Sequence, residues 1–184
     1  MGHIDARVRY TRMVIEQSFL GLLQEKPVSK ITVTELCARA EINRATFYKH
    51  YQDVPQLFER MEEALLEQIR AGFDGFDGGF EAFLAGILHG ACREREQLLL
   101  IGSENGDPRL MEKLFLLCRE RGGLLLEQKL PGLDAASRSW LMYFVAGGSG
   151  AVLAGWVKEG MKETPEEMAR LILRMTDAAA QAMK

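Results

Sequence analysis

Residues 31–57, ITVTELCARAEINRATFYKHYQDVPQL, carry three helix starts in close succession. Thr32 stands three residues before Glu35, the spacing of a capping box, with Ile31 and Leu36 at the flanking hydrophobic-staple positions. Asn43 starts the next helix, with Ile42 and Phe47 as its staple. Asp53 starts the third, with Gln56 at the N3 position and Pro55 in the first turn, where its missing N–H costs nothing. Starts this close exclude a strand or a long helix. They force a short helix, a tight turn and a second short helix, which is helix-turn-helix spacing.

Elsewhere apolar residues recur at helical spacing and strand signals are nearly absent. Helices are predicted over 5–25, 33–40, 44–51, 54–71, 80–101, 108–120, 123–129, 135–160 and 165–183. The breaks are EKPVSK, AEIN, YQD, GFDGFDGG, ENGDP, RGG and LPGLD. The expected fold is therefore all-α. A three-helix helix-turn-helix domain over 1–52 precedes a larger helical bundle over 53–184, entered through a linker helix at about 54–71.

Charge separates the two parts. Residues 1–52 hold eight Lys/Arg against five Asp/Glu, net +3, and the rest hold 15 against 21, net −6. A basic head on an acidic body points the head at a polyanion. In RATFYKHY, Phe47 and Tyr51 share an inward face that packs on Leu36, Ala40 and Ile42, leaving Arg44, Thr46, Tyr48, Lys49 and His50 outward. A guanidinium, hydroxyls, an ammonium and an imidazole on one short helix suit base edges and phosphates in a major groove. Arg44 suits bidentate contact with guanine, and Thr46 and Tyr48 suit phosphate oxygens. Helix N-termini at 33 and 54 add backbone N–H donors.

The run A-x-I-N-x-A-T-F-Y-K-H-Y, with Val14-Ile15 in the preceding helix, resembles the DNA-binding domain of TetR-type transcription regulators over about residues 7–60. The resemblance implies three DNA-binding helices, a fourth linking them to a C-terminal domain, and a homodimer on double-stranded operator DNA. It implies a DNA face of Thr32, Thr34, Arg44, Ala45, Thr46, Tyr48, Lys49 and His50. One departure is Val54, where many relatives carry a phosphate-binding Lys. The last third, AGGSGAVLAGWVKEGMKETPEEMARLI, resembles the C-terminal domain of regulators labelled dihydroxyacetone-kinase-regulator-like.

The C-terminal part offers two surfaces. The aromatics Phe73, Phe76, Phe80 and Phe83, with Leu98–Leu100, Met111, Phe115 and Met142, are candidates to line an effector pocket, since such pockets are mostly apolar, with Phe80, Phe83, Phe115 and Met142 foremost. The effector, a small molecule or a protein, is unnamed by the sequence. No charge falls between Arg138 and Lys158, and WLMYFVAGGSGAVLAGW is long enough to span a bilayer. Its glycine content and its place between helices favour a protein contact instead. Gly147, Ala151 and Gly155 recur every four residues beside a second row containing Gly150, a ridge that lets another helix approach closely. With Leu171 and Met175 of the next helix, these residues are the expected homodimer interface, with no membrane partner.

Enzyme chemistry finds no footing. The histidines His3, His50 and His89 form no triad or HExxH pattern, and GGSG lacks the P-loop Lys and Ser/Thr. Three scattered cysteines, Cys37, Cys92 and Cys118, fit a reducing cytoplasm and no metal site, and no cofactor is expected. DGFDGG lacks the alternating acids of a calcium loop. The alternative to a DNA-binding regulator is a helical interaction adaptor, favoured only by the acidic body.

Overall fold

In the computed structural model, which describes residues 6–74, 79–129 and 132–183, nine α-helices are joined by short turns, and the described residues contain no strand. They are α1 (Ala6–Glu25), α2 (Val33–Arg39), α3 (Arg44–Tyr48), α4 (Val54–Asp74), α5 (Phe80–Arg93), α6 (Arg95–Ile101), α7 (Leu110–Lys129), α8 (Ala135–Lys158) and α9 (Pro165–Gln181). The helices fall into two compact units. The first holds residues up to Leu65 together with Glu96–Pro108, and the second holds Leu66–Arg95 and Arg109–Lys184. The chain therefore crosses between units three times, once inside the continuous helix α4.

The first unit buries Ile15, Phe19, Leu22 and Leu23 of α1 with Leu36 of α2, Phe47 of α3 and Leu57 and Leu65 of α4. On α1 these positions recur at three- and four-residue intervals, which is how an amphipathic helix is held by its core. Leu98 and Ile101 of α6 are also buried. The loop after α6 fastens to the C-terminal end of α1. Asn105 Nδ2 donates to the Leu23 carbonyl at 2.9 Å, and the Asn105 carbonyl accepts from Val28 N–H at 2.8 Å. A Cβ on Gly106 would lie 2.1 Å from the Ile101 carbonyl oxygen, so only glycine lets this loop close.

In the second unit α5 packs on α9 and α7, and α8 packs on α7 and α9. The helix starts are locally encoded. Asp134 accepts from Ala136 and Ser137 N–H to cap α8, and Thr164 and Glu167 make a complete capping box on α9 behind Pro165. Gly90 brings α5 to within 3.3 Å of the Ile69 backbone at the end of α4, measured from where its Cβ would be.

Two expected boundaries differ. The helix expected over 80–101 breaks at Glu94, whose φ of −99° and ψ of 22° leave the helical region. The run Arg93–Glu96 has no apolar side chain to hold one continuous stripe, and the stripes on its two sides belong to different units. Conversely, the break expected at 121–123 is absent. α7 runs through Gly122 and Gly123, because a Cβ there would meet the Phe83 ring and Met142 Cε, each at 2.9 Å. Tertiary packing against those side chains offsets a helix-propensity cost of roughly 1 kcal/mol per glycine. Of the connector at 72–79, residues 75–78 lie outside the described residues, as do Gly2, His3 and Phe76.

Gly106→Ala is expected to lower stability by about 1–3 kcal/mol through forced displacement of the loop, read as a reduced urea midpoint.

Candidate functional site

α3 has only five residues, too few to persist alone. Three fixtures hold it. Asn43 Oδ1 accepts from Thr46 N–H at 2.7 Å and closes the N-terminus. Phe47 is fully buried. Just past the C-terminus, the Tyr51 hydroxyl donates to Glu16 Oε1 of α1 at 2.8 Å, with the Arg60 guanidinium 6.0 Å from the Tyr51 ring centroid. Burial and the neighbouring Glu16 carboxylate push the Tyr51 phenol far above its ordinary pKa, so it stays a donor.

The turn between α2 and α3 passes through Glu41 at φ 51°, a left-handed residue. Thr32 caps α2 by accepting from Glu35 N–H at 3.3 Å. The reciprocal half of the expected capping box is absent. The Glu35 carboxylate instead takes Lys26, and that hydrogen bond holds its pKa below the ordinary value. Arg39 pairs with Glu25 at 2.6 Å and lies across α1 where Gly21 has no side chain. These two pairs neutralise cations behind α2.

The expected DNA-face residues differ in exposure. Thr32, Thr34, Arg44, Ala45, Tyr48 and Lys49 are exposed, while Thr46 and His50 are half-buried. The Thr46 hydroxyl donates to Asn43 Oδ1 at 3.0 Å. Its single proton is thus engaged in the cap, and it cannot donate to a phosphate while that bond stands. Tyr48 is arranged differently. Its oxygen accepts from Arg44 Nη2 at 3.3 Å, leaving its own O–H to donate outward beside a guanidinium. Val54 is 4% exposed and belongs to the core, so it supplies no phosphate contact.

Arg12 of α1 was not among the candidates. It bears on both His50 and Tyr51, and its Nε is buried with no hydrogen-bond partner. The signal was the set Arg7, Arg9 and Arg12 with no acid in the first turn of α1, a sign opposite to what the helix dipole favours.

The second unit contains a small apolar cavity of about 70 Å³ between α5, α7 and α8. Phe80, Phe83, Phe115 and Met142 all line it, together with Arg119 and Ser149. Met111 lines it too, whereas Leu98, Leu99 and Leu100 belong to the first unit and do not, because the chain turns at Glu94 toward the other core; Phe76 and the Phe73 side chain lie outside the described residues.

α8 is long and apolar enough to cross a membrane, by length and composition. One side of it buries Leu141, Val145, Leu153 and Trp156. The small residues divide between two directions. Gly150 faces inward, its Cβ position 3.6 Å from the Phe115 ring, whereas Gly147 and Gly155 have nothing within 4 Å and Ala151 is exposed. The outward row continues into Trp140, Tyr143 and Phe144, which are 69%, 68% and 64% exposed, with Leu171 and Met175 of α9 also exposed.

Capped short helices and a separate helical unit enclosing an apolar cavity together define a helix-turn-helix regulator architecture. Residues 80–178, more than half the chain, match the family described as Transcriptional regulator C-terminal region, TetR_C_8. The chain belongs to the TetR family and is a transcription regulator. It is 39% identical over 59 residues to the uncharacterized HTH-type transcriptional regulator YxbF of Bacillus subtilis (strain 168), a match covering 32% of this chain and 16% of that protein. Its fold resembles a TetR transcriptional regulator from Streptococcus agalactiae 2603V, with a TM-score of 0.69 at 25% identity over 94% of this chain and 96% of that one. The dihydroxyacetone kinase operon activator DhaS shares the fold at a TM-score of 0.65 and 18% identity, over 95% and 98% of the two chains.

His50 offers a check on this geometry. Burial, and then Arg12 and Lys49, lower its pKa from 6.5, so the fold favours the neutral ring. Its contribution to stability is present above about pH 6.5 and is lost as pH falls through the lowered value. His50→Gln is expected to flatten the dependence of Tm on pH between about 7 and 5, measured by thermal denaturation.

Proposed function

We propose that the chain binds double-stranded operator DNA as a cytoplasmic homodimer, without catalysis, and that an effector held in the second unit modulates this binding. The observation that carries it is α3 itself. A five-residue helix capped by Asn43 and pinned by Tyr51 presents Arg44, Tyr48 and Lys49 together to solvent. Two such helices about 34 Å apart would enter successive major grooves on one side of a duplex. In this reading Tyr48 and Lys49 meet phosphates, Arg44 reads a base edge or supports Tyr48, and Thr46 holds the cap. Thr32, Thr34, Ala45 and His50 border the contact. The first unit is the DNA-reading head. An effector in the cavity favours a dimer shape whose head spacing fits the operator better or worse.

The outward face of α8 is the proposed contact with the second copy. It is too apolar to be left in water comfortably, and contiguous exposed aromatics of this kind mark interaction sites. The small row of Gly147, Ala151 and Gly155 gives a partner helix close approach, with Leu171 and Met175 beside it.

Tyr48→Phe with Lys49→Ala is expected to weaken operator binding about tenfold or more, and losing the Lys49 phosphate contact should reduce the salt slope of log K by about 1. Fluorescence anisotropy at several salt concentrations measures both, and unchanged values would remove α3 from the DNA face. Gly147→Leu separates assembly from folding. A Cβ at that position meets nothing within 4 Å in the chain and the change improves helix propensity, so the variant should stay folded while sedimentation shows a shift from dimer to monomer.

A further inference from the structure

The cavity wall is almost wholly apolar, built by Phe83, Leu84, Phe115, Met142 and their neighbours. Two polar residues stand among its lining, Ser149 and Arg119. Arg119 is exposed, and it also borders the open groove outside, where α7 faces α8. It therefore stands at the mouth, not in the interior. The groove's other cation, Arg138, donates from its two terminal nitrogens to Glu127 and to the Leu133 carbonyl. Among the described residues no carboxylate pairs with Arg119.

We propose that this cavity takes a small organic monocarboxylate whose ring or branched apolar body lies among Phe83, Phe115 and Met142, with its carboxylate on the Arg119 guanidinium at the mouth. The inference rests on the reading that the second unit holds an effector. An apolar interior rejects an ionised group, so a charged end must stay at the opening. A planar guanidinium matches a carboxylate with two parallel hydrogen bonds. The body contributes affinity by burial and the carboxylate fixes orientation, the usual division in small-molecule sites.

The test titrates the full-length protein with benzoate, phenylacetate and 3-phenylpropionate, and with their neutral carboxamides, by calorimetry. The parent should bind at least one acid about tenfold more tightly than its amide, and Arg119→Gln should erase that preference while its amide affinity stays within about twofold. The unliganded Tm of the variant confirms that it is folded. Equal affinity for acids and amides in the parent overturns the carboxylate assignment but leaves an effector cavity standing. An acid preference that survives Arg119→Gln overturns the assignment to Arg119. Absence of binding by acids and amides alike at roughly 10 mM overturns both the carboxylate and the cavity as the effector site.

Discussion

The hydrogen bond from the Tyr51 hydroxyl to Glu16 carries more of this structure than its 2.8 Å implies. α3 is far below the length at which a helix survives on its own backbone bonds. Its N-terminus is closed locally by Asn43, but its C-terminus depends on a partner 35 residues earlier in the chain. A part-buried bond to a charged group is worth roughly 1.5–3 kcal/mol, comparable to what the short helix lacks. The exposed side chains of α3 inherit their positions from that bond and from the buried Phe47 ring beside it.

Glycine does two opposite things in the second unit. Facing inward, Gly90, Gly122 and Gly123 let a backbone, a ring and the Met142 thioether approach where a methyl group would collide or crowd, and Gly150 lies at ordinary contact distance from Phe115. Facing outward, Gly147 and Gly155 meet nothing in the chain. The first set is explained by the fold. The second costs helix stability with no internal return, and that imbalance is the physical reason for assigning it to a surface between copies.

Legibility in the sequence follows range. Caps act over three residues, so Thr32, Asn43 and Asp53 announce their helices, and the all-helical class follows from periodicity. The gathering of Phe80, Phe83, Phe115 and Met142 around one cavity was expected from their apolar character alone. What stayed hidden depends on distant partners. Gly122-Gly123 reads as a break until Phe83 and Met142 are seen against it. Thr46 reads as a free hydroxyl until Asn43 is seen to hold its proton. The division at Glu94 reflects two stripes facing two different cores, and the clasp of Asn105 on Leu23 spans 82 residues. Arg12 escapes a sequence reading because its neighbours, His50 and Tyr51, lie past the end of α3, far along the chain.

That clasp has a consequence for how the chain comes into being. Helices α1, α2 and α3 of the first unit precede α5 in the chain and leave the ribosome before it. Yet Glu96–Pro108 belong to that unit as well, with buried Leu98 and Ile101 and the Asn105 contacts at the end of α1. The first unit is thus begun before α5 and cannot be finished before it. It stays incomplete until α5, a helix of the other unit, has already emerged.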